Sequence, residues 1–197
     1  MLEAIGIKLI TVLAGFLFEH GLVSIDKIQV AGAPSWYYEE SNNDYIYVFS
    51  YKDGGIETIE PLKAELSLLM EKRIQGTIDV VVYKNFRDVK DPKEKELVTL
   101  FQKDPDLHLF VKSNIRFERI VQQDMREKGL IFKGRPERTF GSAVLSKKSL
   151  LDYQEERITI LREQIVKEQS SKMFDKLGSE LGEEENEMEM EEEIPQW

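Results

Sequence analysis

Between Ile59 and Ile74 the apolar residues Ile59, Leu62, Leu66, Leu69, Met70 and Ile74 recur at steps of three and four, the spacing of one helical face. Glu57, Glu60 and Pro61 occupy the first turn and Arg73 the last, and Gly76 is the expected stop. The stretch before it, YIYVFSY at 45–51, has the aromatic and β-branched content of a strand. Turn-forming residues bound it, 39–44 on one side and Asp53-Gly54-Gly55 on the other. TIDVVVYKNF at 77–86 reads as a second strand, broken by the charged stretch 87–96 with Pro92, and 97–103 fits a short helix stopped before Pro105. Residues 107–124 read as a third strand, alternating with Ile115, Phe117, Arg119 and Val121 on one side and Arg116, Glu118 and Ile120 on the other. A further alternating run, 139–145, follows the turn-rich 129–138, so the two runs are expected to pair as a hairpin.

From Ser149 to Leu177 no Gly or Pro interrupts Leu150, Leu151, Tyr153, Ile158, Leu161, Ile165, Val166, Phe174 and Leu177. At ~1.5 Å per residue such a helix is ~43 Å long, more than a small sheet covers, so part of it is expected to project. The pattern predicts an α+β fold: a small antiparallel sheet with a packed helix, followed by a long C-terminal helix. The α+β unit takes 34–148 and the helix 149–177. A projecting amphipathic helix is a candidate self-association or partner-docking surface, with Ile158, Leu161 and Ile165 as its interaction residues, and simple packing along the sheet is the equal alternative for its first half.

The N-terminal segment, 1–33, has a different texture. Ten uncharged, mostly apolar residues, Leu9 to Phe18, lie between Lys8 and Glu19. That is the length of a signal-peptide apolar region, which needs ~7–15 residues, rather than of a spanning helix, which needs ~20. An uncleaved anchor touching the membrane from Ala4 to Val23 is the variant reading, and a helix buried in a soluble domain is the alternative to both.

Charge sharpens the division of the chain. Lys and Arg total 27 against 37 Asp and Glu, a formal net charge of −10. Nine of the Glu fall in 178–197, which holds no other charged residue, so residues 1–177 carry 28 acids against 27 bases. The body is nearly neutral, and the tail is too polar and self-repelling to bury a core, so disorder is its expected state. Met188, Met190, Ile194 and Trp197 interrupt the acid in a pattern compatible with docking on a basic partner groove, Trp197 being the anchor, while a solvated solubility tail is the ordinary reading of such a composition.

Candidate chemistry is sparse. With no cysteine, disulfides, thiolate nucleophiles and thiolate metal sites are excluded. His20 lies in the apolar N-terminal segment and His108 in the third strand reading, and neither has metal-ligand spacing. No phosphate-binding glycine loop occurs, and Asp104 and Asp106 around Pro105 read as a charged turn. Arg116, Arg119 and Arg126 with Phe117 form only a modest basic and aromatic strand on a near-neutral body, which argues against nucleic acid. No catalytic, cofactor or metal residue is expected.

One region resembles a known family. Pro34-Ser35-Trp36-Tyr37-Tyr38, the Tyr-rich strand at 45–51, an acidic turn, a helix with Ala64 on its core side, and Arg138-Thr139-Phe140-Gly141-Ser142-Ala143-Val144-Leu145 leading into a terminal helix are similar to the Lpp-twenty-like domain. That family comprises small bacterial envelope lipoproteins and includes the subunit of the flagellar basal disk. The resemblance spans roughly 34–165. It implies a non-enzymatic structural component of the cell envelope, periplasmic or inner-membrane-associated, in a flagellar motor disk or related periplasmic scaffold. Self-association and contacts with other envelope or flagellar proteins would follow. It also implies that Trp36 is a packing residue at the domain entrance, with Tyr37 and Tyr38 beside it. The lipid-attachment cysteine of most members has no counterpart here. The alternative expectation is a cytoplasmic adaptor or regulator that uses its acidic tail to dock on a basic partner.

Overall fold

The computed structural model describes residues 2–19, 30–38, 44–127 and 136–191, with side chains described up to 179. In chain order its elements are α1 (Leu2–Glu19), β1 (Tyr45–Asp53), α2 (Ile59–Phe86), α3 (Pro92–Gln102), α4 (Leu107–Asn114), β2 (Arg116–Asp124), β3 (Glu137–Ser146) and α5 (Lys147–Glu191). The fold is α+β: three strands form one antiparallel sheet in the order β1-β3-β2. β1 runs against β3 from Tyr45 opposite Ser146 to Asp53 opposite Arg138. The expected hairpin partners do pair: Val121 lies opposite Phe140, and the register of β2 shifts between Phe117 and Arg119.

Five sequence expectations give way to packing, capping or helix propensity. Residues 77–86 are the second half of α2, not a strand. Ile78, Val81, Val82 and Phe86 continue the buried stripe of Leu62, Leu66, Met70 and Ile74 at four- and three-residue steps, and burial overrides the β-branched composition. Gly76 does not stop the helix: it lacks the positive φ of a capping glycine and stays within α2. Residues 107–114 are likewise helical: Leu107 and Val111 reach the core at a four-residue step, and the strand begins only at Arg116. α3 starts earlier than the charged stretch implies, since Asp91 caps it by accepting from the backbone N–H of Lys93 (2.9 Å) and Glu94 (3.0 Å), with Pro92 in the first turn. α5 continues past Gly178 to Glu191, through a run rich in helix-favouring Glu.

The core lies between one sheet face and the helices. Ile46 and Val48 of β1 and Ala143 and Leu145 of β3 join the α2 stripe in a single apolar cluster. Gly141 allows that approach, because a Cβ there would lie 2.9 Å from Leu62 Cδ2 and 3.0 Å from Leu66 Cδ1. β3 is buried along nearly its whole length on both faces, so its alternation does not mark an inside and an outside. The second face is covered by the 3-10 turn Ser35–Tyr38, where Tyr37 packs on Phe140 and Met125.

α1 belongs to the main core. Ile5, Leu9, Leu13 and Leu17, each four residues from the last, are buried in the same cluster as α2 and α5. The ammonium of Lys147 donates to the Leu17 carbonyl at 2.8 Å, where it caps the end of α1, and burial and nearby Arg73 lower its pKa. Residues 4–19 of the expected membrane segment are thus a helix with one face in the protein core, while 20–23 lie outside the described residues. Among the described residues no helix is long and apolar enough to cross a membrane.

Gly141→Ala is expected to destabilise the fold by about 1–3 kcal/mol through overpacking against Leu62 and Leu66, read by chemical denaturation. A pH dependence follows from Glu65. Its burial raises the carboxyl pKa, but hydrogen bonds from Lys52 and Ser50 outweigh that and hold it below its ordinary value. A depressed carboxylate contributes stability above its unfolded pKa of about 4.3, lost progressively as pH falls through the folded value. Glu65→Gln is expected to flatten that acid limb in denaturation midpoints measured against pH. An unchanged limb would assign the acid sensitivity to other carboxylates.

Candidate functional site

The sequence-predicted interaction residues fall into two places. The first is the turn that lids the second sheet face. Tyr37 is buried there, its ring edge-on to Phe140 at 5.5 Å and to Tyr38 at 5.3 Å, and 5.7 Å from Phe49. Burial pushes its hydroxyl well above the usual tyrosine range. Trp36 and Tyr38 are half-buried. The Arg119 guanidinium lies 5.6 Å from the Trp36 ring centre, and the Tyr38 hydroxyl accepts from the Val30 N–H at 2.7 Å. These aromatics are fastened to their own sheet, with only the edges of Trp36 and Tyr38 facing outward.

The second place is α5, and its root is clamped. The Arg157 guanidinium donates to the carbonyls of Leu100 (2.5 Å), Phe101 (2.7 Å) and Lys103 (2.6 Å), which lie at the C-terminal end of α3. It also pairs with Asp104 at 3.3 Å, whose side chain is fully buried. The other lone pairs of Asp104 accept from the Tyr153 hydroxyl (2.9 Å) and the Gln154 amide (3.1 Å). Burial and then the Asp104 hydrogen bond push the Tyr153 hydroxyl above its usual range, while burial lowers the Arg157 pKa. Phe110 of α4 stacks on Tyr153 at 4.2 Å. Asp104 is therefore the centre of a buried polar network, a role that its charged-turn context did not signal.

Beyond that root α5 has two characters. Ile158 and Ile165 are 1% and 2% exposed and belong to the core with α1, so they face the chain's own body. Leu161 is half-buried and lines, with Leu100, Lys103, Pro105, Ile160 and Gln164, an open groove of about 850 Å³. Past Ile165 the helix leaves the body. Val166, Met173, Phe174 and Leu177 are 53%, 68%, 73% and 50% exposed, and every residue from Ser170 to Ser179 is exposed. This distal stripe is the outward apolar surface that Ile158 and Ile165 were expected to provide. Val166, Phe174 and Leu177 were visible in the helical periodicity, whereas Met173 and the choice of face that meets the body were not. Trp197 lies outside the described residues.

Among titratable groups, His108 is exposed on α4 rather than in a strand, and His20 lies outside the described residues. Among the described residues no cluster of three or more His, Asp or Glu is placed to hold a metal ion. No family model, no curated protein and no solved structure matches this chain.

Asp104→Ala leaves the buried Arg157 charge and the Tyr153 and Gln154 donors without their acceptor. It is expected to cost about 3–5 kcal/mol in denaturant unfolding. Converting Asp104 and Arg157 together to apolar residues is not expected to restore stability, because the three α3 carbonyls would still lose their donor.

Proposed function

We propose that the chain is a non-enzymatic assembly component, a folded α+β body that presents a projecting helix to other proteins. One observation carries the reading: α5 leaves the body after Ile165 and carries Val166, Met173, Phe174 and Leu177 outward. Most helical stability in proteins comes from packing an apolar face, so a long helix with an exposed stripe is suited to a partner. The resemblance of 34–165 to the Lpp-twenty-like family supports a place in the bacterial cell envelope, in a flagellar disk or related periplasmic scaffold. The packing of Trp36 and Tyr37 at the sheet lid is in keeping with the role that resemblance gives Trp36.

A second reading, a cytoplasmic adaptor that is not exported, is favoured by α1. Its Ile5, Leu9, Leu13 and Leu17 are part of the core, and cleavage of a leader would strip them from it.

Fractionation with the N-terminus read by mass spectrometry separates the two. The envelope reading expects a periplasmic or membrane pool, and full-length chain confined to cytosol would leave only the adaptor. For the docking role, Phe174→Glu with Leu177→Glu is expected to abolish the assembly formed in cells while shifting unfolding by less than about 0.5 kcal/mol, because both positions are exposed. An assembly that persists in this variant would remove α5 as the docking element.

A further inference from the structure

The core seam of α5 runs through Leu150, Gln154, Ile158 and Ile165, all buried. Continued by three, four or seven residues, it meets Glu168, Gln169 and Lys172, so its apolar part ends at Ile165, with Gln169 half-buried one turn further. Val166, Met173 and Leu177 do not extend it. With ~3.6 residues per turn they sit roughly 100° round the helix from Ile165. Their spacing of seven and four residues makes a second, separate stripe, with Phe174 at its edge. A surface on a different helical face from the body is not an unfinished piece of the body's core.

The same helix continues to Glu191, and its last part, 178–191, carries seven Glu and no Lys, Arg or Asp. That charge discriminates between occupants. A parallel second copy would set seven Glu alongside seven. An antiparallel copy centred near Lys172 would lay 180–191 along 153–164, which holds Glu155, Glu156 and Glu163 against Arg157 and Arg162, and Arg157 already serves the clamp. Neither arrangement supplies a complementary charge, and like charges at close range disfavour both. An anionic membrane surface is disfavoured for the same reason.

The geometry points to another protein as the occupant of this stripe: one with an apolar groove that takes Val166, Met173 and Leu177, and a Lys- and Arg-lined rim where the groove receives the Glu-rich end of α5. The inference rests on the reading of α5 as the docking element and adds the chemistry of what it docks to.

Two synthetic amphipathic helices with identical Leu faces test it on the full-length protein, one bearing Lys on its polar face and the other Glu. The Leu/Lys helix is expected to bind and to shift the backbone amide resonances of 166–177. Its affinity should fall about tenfold or more as salt rises from ~0.05 to ~0.5 M. The Leu/Glu helix should bind at least about tenfold more weakly. Met173→Glu with Phe174→Glu supplies the decisive control. These substitutions add negative charge, so purely Coulombic capture of the Leu/Lys helix would strengthen, whereas docking on the stripe should weaken about tenfold or more. The variant's fold is checked by circular dichroism. Equal binding of both helices, or binding that survives in the variant, would overturn the proposal. So would a dimer of the chain alone that the variant dissolves, since the occupant would then be a second copy. Assembly in cells asks whether α5 is used at all, while the two helices ask only what charge it fits, so the two readings fail separately.

Discussion

The Arg157 guanidinium ties the root of α5 to the end of α3 and to the turn that follows it. A helix end leaves its last carbonyls without intrahelical donors, and the C-terminal end of α3 lies within reach of α5. Arg157 reaches Leu100, Phe101 and Lys103 from α5, pairs with the buried Asp104 carboxylate, and also meets Gln154 Oε1 and the Phe101 ring. Only a planar fork of five donors serves that many acceptors from one position; a lysine ammonium has three donors and no fixed plane. Asp104 in turn accepts from Tyr153 and Gln154, so the turn between α3 and α4 is tied to two successive turns of α5. α5 is held at this root, and Ile165 is its last buried residue among those described.

A second constraint explains why so many helices surround so small a sheet. α2 has 28 residues, ~42 Å at ~1.5 Å each, whereas the nine residues of β1 span only ~30 Å at ~3.4 Å each. The first half of the α2 stripe lies over Gly141 and its neighbours in the sheet. The second half, Ile78 to Phe86, runs on with its apolar side still buried, and α1, α3 and α4 contribute Leu9, Leu13, Leu97, Phe101, Leu107 and Val111 to the same cluster. β3 stands at the centre of this arrangement. It is sandwiched between α2 on one face and the Tyr37 lid on the other, which is why Ser142 and Thr139 are as buried as Ala143 and Val144.

How much of this was legible in the sequence depended on whether a segment carries one period or two. Residues 45–53, the first half of α2 and the long C-terminal helix each show a single period over enough residues to decide. The pairing of 116–124 with 139–145 follows from alternation bounded by turns. Val80, Val81 and Val82 in succession satisfy both a strand and a buried helical stripe, and so do Leu107 to Val111. There the outcome is set by tertiary burial along α2 and α4, which no local window contains. The site was legible in the same partial way. Periodicity gives the apolar positions of α5, but only the body distinguishes Ile158 and Ile165, which it covers, from Met173 and Phe174, which it leaves out. Asp104 carried no signal at all, because its partner Arg157 is distant in sequence and looks like any helix-surface arginine.

Charge and apolar area on distal α5 would act at different stages of any encounter. With residues 1–177 close to neutral, the net charge of the molecule comes almost wholly from the nine Glu of 178–197, seven of which belong to the last part of α5, up to Glu191. At ~0.1 M salt the field of that charge reaches only about 10 Å, so it governs orientation and rate of approach more than the strength of the final complex. Apolar contact acts only at van der Waals range, and Val166, Met173, Phe174 and Leu177 lie on the body side of the acid. A partner guided by the acidic end is thus delivered to a stripe whose root is held by Arg157 and Asp104. Removing the charge should slow arrival, and removing the stripe should shorten residence. A clamp far from either surface keeps the two in a constant order along one rod.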